Sequence, residues 1–355
     1  MAKVLMKGNE AIAEAAILAG CRFFFGYPIT PQNQIPEYMS KRMPKVGGCF
    51  LQAESEVSAI NMVYGASGAG ARVMTSSSSP GISLKQEGIS YAVGAELPLV
   101  VVNMVRGGPG LGSIQPAQSD YFQATRGGGN GDYRTVVLSP SNVQEAVDFV
   151  QEAFDIADQY RNPVVILADG MIGQMMEAIE WHDVPKRELP EKPWATTGTH
   201  GERKPNIINS LYIDPNDCEQ HNEKLAAKYK VMEENEVRVE NIDVEGADVI
   251  LVAYGTMARI CMRAAKEARE KLGLKVGIVR PITVWPYPYK AVHDAANQDS
   301  VKEVVSIEMS CGQMVDDVRI AVAGCKPVSF YGRAGGVVPT VKEILNYLTG
   351  IKEGK

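Results

Sequence analysis

The stretch RFFFGYPITP, residues 22–31, holds a strand, a turn and a helix opening in ten positions. The apolar run over 22–25 stops at Gly26, and Thr30-Pro31 then reads as a helix start, because threonine is a good N-cap and proline suits the first helical turn. Upstream, residues 8–19 carry Ile12, Ala15, Ala16 and Ala19 at helical spacing. Downstream, the pattern predicts a helix over 56–67, strands over 71–75 and 97–102, a helix over 142–158 and a strand over 163–167. Strands alternating with helices imply an α/β fold whose parallel sheet is covered on both faces.

The pattern changes near residue 181. Residues 181–244 are rich in Pro, Glu, Lys and Asn, which predicts an extended polar connector interrupted by one helix over 217–235. So polar a segment cannot build a core of its own, and we expect it to lie as an extended arm. A second α/β unit follows, with strands over 249–253, 275–279, 304–307 and 327–331 and helices over 255–272 and 313–323. The expected organisation is therefore 1–180, a connector over 181–244, and 245–355.

Composition removes several classes of function. The 355 residues carry 36 Lys plus Arg against 42 Asp plus Glu, a net charge of −6. No basic run tracks a phosphate backbone, so nucleic acid is not an expected partner. The longest apolar runs are strand-sized, well below the ~20 residues of a membrane span, and the first ten residues lack the layout of a secretory signal. Six cysteines without a C-x-x-C pair give no iron–sulfur or zinc site and fit a reducing compartment. The expectation is a soluble, cytoplasmic protein with no membrane partner. There is no G-x-x-x-x-G-K-[ST]. The Gly-rich runs over 107–112 and 127–131 lack the strand–turn–helix context of a dinucleotide site. All four histidines lie beyond the Gly-rich N-terminal half, which speaks against a His-based triad or metal site there.

Four segments remain, each after a short apolar run: GYPITP at 26–31, QAESE at 52–56, SSSSPG at 76–81 and VRGGPG at 105–110. Ligands of open α/β sheets bind at the carboxyl ends of strands, where these segments are expected to fall. Singly, each has a plain structural reading. Thr30 can be an N-cap, Glu56 can complement a helix dipole, Arg106 can be a surface ion-pair partner and the serines a solvated loop.

Together with Met6-Lys7-Gly8-Asn9-Glu10-Ala11 at the start, Gly65-Ala66, and the C-terminal stretches 252–256 and 332–339, these segments resemble the α-type subunit of the thiamine diphosphate-dependent 2-oxoacid:ferredoxin oxidoreductases. Within that family the likeness is greatest to the 3-methyl-2-oxobutanoate (2-oxoisovalerate) members. The resemblance covers nearly the whole chain. It implies a pyrimidine-type thiamine diphosphate-binding domain with a parallel sheet, followed by a domain like the transketolase C-terminal one.

The resemblance also implies roles. A carboxyl group, here Glu56, meets N1′ of the aminopyrimidine; sharing its proton favours the tautomer that takes the C2 proton, and the cofactor then serves as electron sink. Glu54 is the neighbour most easily mistaken for Glu56. An apolar setting of Val57, Ile60, Met62 and Val63 would raise the Glu56 pKa. Thr30 matches a threonine bonded to the 2-oxoacid, and Arg106 an arginine paired with its carboxylate. Pro28, Ile29 and Ser79 fall at the cofactor. No metal ligand is expected: Gly131-Asp132-Tyr133 and Ala168-Asp169-Gly170 lack the G-D-G…Asn pattern for Mg²⁺–diphosphate, and Asp169 reads as a strand-end turn residue. A β subunit would hold Mg²⁺ and diphosphate, and γ and small ferredoxin-like subunits would complete a complex that passes electrons from iron–sulfur clusters to ferredoxin and acyl groups to coenzyme A. The loop over 332–336 would approach coenzyme A or a partner chain, or be an ordinary turn. Other readings are a 2-oxoglutarate-specific α subunit, whose substrate calls for an additional cation, and a non-catalytic scaffold of such a complex.

Overall fold

The computed structural model describes residues 3–182, 184 and 187–354. The first half runs β1 (Val4–Lys7), α1 (Gly8–Leu18), β2 (Phe23–Gly26), α2 (Gln34–Arg42), β3 (Cys49–Gln52), α3 (Glu56–Gly68), β4 (Val73–Ser77), α4 (Pro80–Gly94) and β5 (Val100–Val105). It continues with α5 (Tyr121–Thr125), β6 (Val136–Leu138), α6 (Val143–Tyr160), β7 (Val164–Asp169), α7 (Gly170–Gln174) and β8 (Met176–Ile179). Strands β2 to β7 form a sheet in the order β6-β7-β5-β4-β2-β3, all parallel. Its central strands β5 and β7 are buried at every position, as helices on both faces require. Helix α1 is buried nearly all round because its Ala and Ile residues pack between α6 and α2. Strands β1 and β8 make a separate antiparallel pair.

The second half runs α8 (Pro215–Asn235), β9 (Val239–Ile242), β10 (Val249–Val252), α9 (Gly255–Leu272), β11 (Val276–Pro281), β12 (Thr283–Trp285), α10 (Tyr289–Ala296), β13 (Glu303–Glu308), α11 (Met314–Val322), β14 (Val328–Gly332) and α12 (Val341–Glu353). Its five-stranded sheet has the order β14-β13-β10-β11-β9, with β9 antiparallel at the edge.

Three features differ from expectation. Helix α2 begins at Gln34 rather than at Thr30-Pro31. The Pro31 carbonyl, which would open a helical ladder, accepts hydrogen bonds from Asn9 Nδ2 at 2.8 Å and Gln174 Nε2 at 2.7 Å, and Gln32 is buried beneath it. The segment 181–244 is not an extended arm throughout. Leu225, Tyr229 and Met232 of α8 are buried in the first core, and β9 completes the second sheet; residues 183, 185 and 186 of this segment lie outside the described residues. Strand β12, in turn, pairs antiparallel with β6, so the seventh strand of the first sheet comes from the second half of the chain.

Candidate active site at the sheet switch point

The chain passes from β2 outward to β3 and then crosses back over β2 to β4. The carboxyl ends of β2 and β4 therefore lie where connections diverge, which opens a crevice in a parallel sheet. The loops after β2, β3, β4 and β5 carry Thr30, Glu56, Ser79 and Arg106 to that one edge.

Glu56 is the first residue of α3, held by Ser55, whose side chain accepts the Ser58 N–H at 3.2 Å. It is 6% exposed, and among the described residues none donates a hydrogen bond to its carboxylate. Room for it comes from Gly81. A Cβ there would lie 2.5 Å from Glu56 Oε1 and 2.1 Å from Ser77 Oγ. The apolar setting expected around Glu56 is thus corrected. Ile60 and Val63 enter the core, but Val57 is 43% exposed, and the carboxylate lies at Gly81 on the side where the unpaired Ser77 hydroxyl also approaches that glycine, with the charge of Lys85 nearby. The reason is helical period: the carboxyl at the N-terminus of α3 reaches toward the end of β4, away from the apolar stripe below it. Glu54 is exposed and accepts from Ser58 Oγ at 2.6 Å, a bond that holds its carboxyl below the usual range.

Arg106, 5% exposed, donates from Nη1 to the Thr30 carbonyl at 2.9 Å and from Nη2 to the Leu111 carbonyl at 3.0 Å. The structure thereby brings Arg106 and Thr30 together. The Thr30 side chain is exposed and accepts from Asn33 Nδ2 at 3.3 Å. Ser79 precedes α4 with φ 20° and ψ −80°, a strained conformation for a serine. Its Oγ accepts the Arg106 N–H at 3.1 Å and donates to the Arg106 carbonyl at 3.2 Å, while its own N–H donates to Asn103 Oδ1 at 3.2 Å. Asn103 in turn donates to Asp120, whose carboxyl is pushed up by burial and held down in part by these bonds. Pro28 is exposed and Ile29 half-buried on the same loop as Thr30. Asp169 ends β7 and caps α7, accepting from Met171 N at 2.8 Å and Ile172 N at 3.3 Å.

Next to Thr30 lies a cavity of about 520 Å³, lined by Thr30, Ile114, Pro116, Met171, Gln174 and Val338 among others, with no charged side chain in its wall. Gly336 also lines it, so the end of the 332–336 loop forms part of the wall. That loop sits against the loop after β5; a Cβ on Gly107 would meet Gly335 C at 2.7 Å.

Sequence reasoning missed three groups here and left a fourth unassigned. Gln32 accepts from Ser76 Oγ at 2.6 Å, and Asn103 positions Ser79. Lys85 acts by charge on Glu56, and Ser77, within the 76–81 segment that the sequence did mark, approaches Gly81 beside the Glu56 carboxylate. Gln32 and Asn103 had no spacing to mark them. Lys85 falls between Gly81 and Gly88, a face that reads as solvated because nothing on it is apolar.

The chemistry of these donors suits an aminopyrimidine cofactor. A buried carboxylate, the orphaned hydroxyls of Ser77 and Ser78 and the orphaned Arg106 Nε converge at the switch point, and buried polar groups of this kind call for a polar ligand. Fold and site together define a thiamine diphosphate-type α/β protein with an appended second α/β unit. Residues 14–241 match the family described as pyruvate flavodoxin/ferredoxin oxidoreductase, thiamine diphosphate-binding, and residues 247–344 match pyruvate:ferredoxin oxidoreductase core domain II. The chain is 47% identical to the ketoisovalerate oxidoreductase subunit VorB of Methanothermobacter marburgensis, over 99% of this chain and 98% of that one. It is 37% identical to the 2-oxoglutarate synthase subunit KorA of the same organism, over 98% of each. The solved 2-oxoglutarate:ferredoxin oxidoreductase of Magnetococcus marinus, with 2-oxoglutarate, coenzyme A and succinyl-CoA bound, superposes with a TM-score of 0.84 at 28% identity, covering 98% of this chain and 65% of that one. A split-gene transketolase in an inactive β4 tetramer shares the fold, with a TM-score of 0.60 at 16% identity over 97% of each chain. The chain belongs to the 2-oxoacid:ferredoxin oxidoreductase family.

Proposed function

We propose that the chain contributes the pyrimidine half of a thiamine diphosphate site, in a complex that oxidatively decarboxylates a branched-chain 2-oxoacid, 3-methyl-2-oxobutanoate, to an acyl-CoA. The observation that carries the substrate class is the cavity beside Thr30, whose described lining holds no charged side chain: Ile114, Pro116, Met171 and Val338 are apolar, and Asn33, Gln34, Gln115 and Gln174 are neutral amides. The apolar part suits a branched aliphatic chain, whereas the second carboxylate of 2-oxoglutarate finds no cation there.

When bound, thiamine diphosphate supplies the electron sink for decarboxylation. This chain's residues do the positioning and proton work. Glu56 holds a proton at the pyrimidine ring nitrogen, from a site where water is largely excluded. The Thr30 hydroxyl donates a hydrogen bond to the 2-oxoacid. Arg106 fixes the Thr30 backbone through Nη1 and presents its unpaired Nε to the substrate carboxylate. Pro28, Ile29 and Ser79 shape the cofactor side of the crevice. A β subunit holds Mg²⁺ and diphosphate, γ and small ferredoxin-like subunits complete the complex, the iron–sulfur clusters lie on partner subunits, and ferredoxin takes the electrons.

The test is co-expression with the partner subunits and viologen-linked turnover of 3-methyl-2-oxobutanoate against 2-oxoglutarate with coenzyme A. Preference for the branched acid, abolished in Glu56→Gln, is expected. Preference for 2-oxoglutarate would overturn the substrate assignment, and full activity of Glu56→Gln would overturn the role of Glu56.

A further inference from the structure

Lys85 is the one fully buried lysine among the described residues, and the reading above gives it no task. Its Nζ donates to Thr75 Oγ1 at 2.6 Å and to the Ser76 carbonyl at 3.0 Å, and Thr75 Oγ1 passes the chain on to the Phe25 carbonyl at 2.7 Å. The ammonium is thus tied to β4 and, through Thr75, to β2, the two strands that flank the crevice. Its helix presents one face to α3. A Cβ on Gly81 would lie 2.5 Å from Glu56 Oε1, and one on Gly88 would lie 2.6 Å from two carbons of Ile60. Gly81, Lys85 and Gly88 follow one another at helical spacing on that face, as Glu56 and Ile60 do on α3. Lys85 is therefore bracketed by two close contacts to the very helix that carries Glu56.

We propose that Lys85 is a positioning residue that acts on Glu56 through its charge: its buried ammonium, bonded to the floor of the crevice at Thr75 and Ser76, lies on the face of α4 packed against α3 and favours the ionised form of the Glu56 carboxylate before cofactor and substrate arrive. The proposal rests on the assignment of Glu56 above. Two glycines leave α4 close enough for charge on one helix to act on the other, and a charge inside a low-dielectric crevice acts strongly on its neighbour. Lys85 is bonded to the uncharged Thr75 and Ser76 of β4, and among the described residues Glu56, across the α3–α4 contact, is the charge that acts on it. Burial pushes the Lys85 ammonium down to about 7, and Glu56 offsets part of that fall.

The test uses the assembled complex carrying Lys85→Met, Lys85→Gln, Lys85→Arg and, separately, Glu56→Gln. Solvent-deuterium exchange at C2 of bound thiamine diphosphate is followed against pH. The limb that Glu56→Gln abolishes should move up by about one unit in Lys85→Met and Lys85→Gln, with exchange slowed roughly tenfold at the original optimum, because the carboxylate loses its neighbouring cation. Lys85→Arg should restore part of both. An unmoved limb in Lys85→Met and Lys85→Gln overturns the proposal. A second measurement does not need those variants to assemble: ¹³Cε-lysine NMR on the full chain, with Lys85 assigned by loss of its signal in Lys85→Met, or in Lys85→Arg where the former is insoluble. Lys85 should titrate lower in Glu56→Gln than in the native chain, and identical titration overturns the coupling. Wild-type exchange in the Glu56→Gln complex would instead remove the role of Glu56, while the NMR shift would still report whether the two side chains act on each other.

Discussion

Two residues around Glu56, Lys85 and Gly81, set opposing demands on the crevice. Lys85 gives up hydration to lie there. Its native pKa is held near 7 by burial, against about 10.4 in an unfolded chain. Between those values the unfolded state binds more protons, so native stability rises with pH through that window, at roughly 1.4 kcal/mol per unit. Below it the burial penalty is fully present. Lys85→Met removes this penalty, so denaturation of the full chain should show the native protein gaining on the variant from pH 7 to 9.5. A constant difference across that range would contradict a titrating Lys85. Gly81 sets the second demand, being space rather than charge. Gly81→Ala would drive a methyl to 2.1 Å from Ser77 Oγ and 2.5 Å from Glu56 Oε1. Overpacking of this kind costs about 1–3 kcal/mol, and a displaced carboxylate costs turnover. The expected outcome is a folded chain by circular dichroism whose complex turns over about a hundredfold more slowly.

Elements were legible in the sequence where one physical cause dominates. Continuous apolar runs marked β5 and β7, because both faces of a central parallel strand are buried. Strand β3 and helix α4 were not read. The former is a short edge strand with three of its four residues exposed, and the latter carries Lys85, Gln86 and glycines on buried positions, so its periodicity is not hydrophobic. The start of α2 was misplaced because Asn9 and Gln174, distant in sequence, capture the Pro31 carbonyl. Of the site, Thr30, Glu56 and Arg106 stood out through the family resemblance, while their convergence depends on strand order. Helix α8 illustrates the same limit. Its exposed face reads as connector, yet Leu225, Tyr229 and Met232 enter the first core, and Lys224 and Lys228 reach Glu96. Met232→Ala should therefore cost about 2–4 kcal/mol in equilibrium unfolding, with Lys230→Ala, on the exposed side, within about 0.5 kcal/mol of native.

At the scale of the molecule, the cavity has walls from both halves of the chain: Thr30 and Met171 from the edge of the first sheet, Gly336 and Val338 from the loop after β14. Its shape depends on how firmly those halves are joined. The joint is the segment that follows the loop after β5. Gln118 N donates to the Met309 carbonyl at 2.8 Å, Gln118 Oε1 accepts from Met309 N at 3.0 Å, and Gln118 Nε2 donates to the Tyr254 carbonyl at 2.9 Å. Beside it Asp317 of α11 accepts from Tyr121 OH at 2.7 Å and Tyr289 OH at 2.6 Å and pairs with Arg126 at 3.1 Å. Removing that carboxylate leaves the buried Tyr121 hydroxyl without its acceptor, a loss of about 1–3 kcal/mol, while Tyr289 and Arg126, both exposed, turn to water. Glu56, Lys85 and Arg106 all belong to the first half and keep their contacts. Asp317→Ala should therefore loosen the far wall without disturbing the proton chemistry. In the assembled complex KM for the 2-oxoacid should rise about tenfold, with kcat within a factor of about three of native and C2 exchange unchanged. An equal fall in kcat and kcat/KM would show that the joint acts on the reacting groups themselves and not on the shape of the cavity.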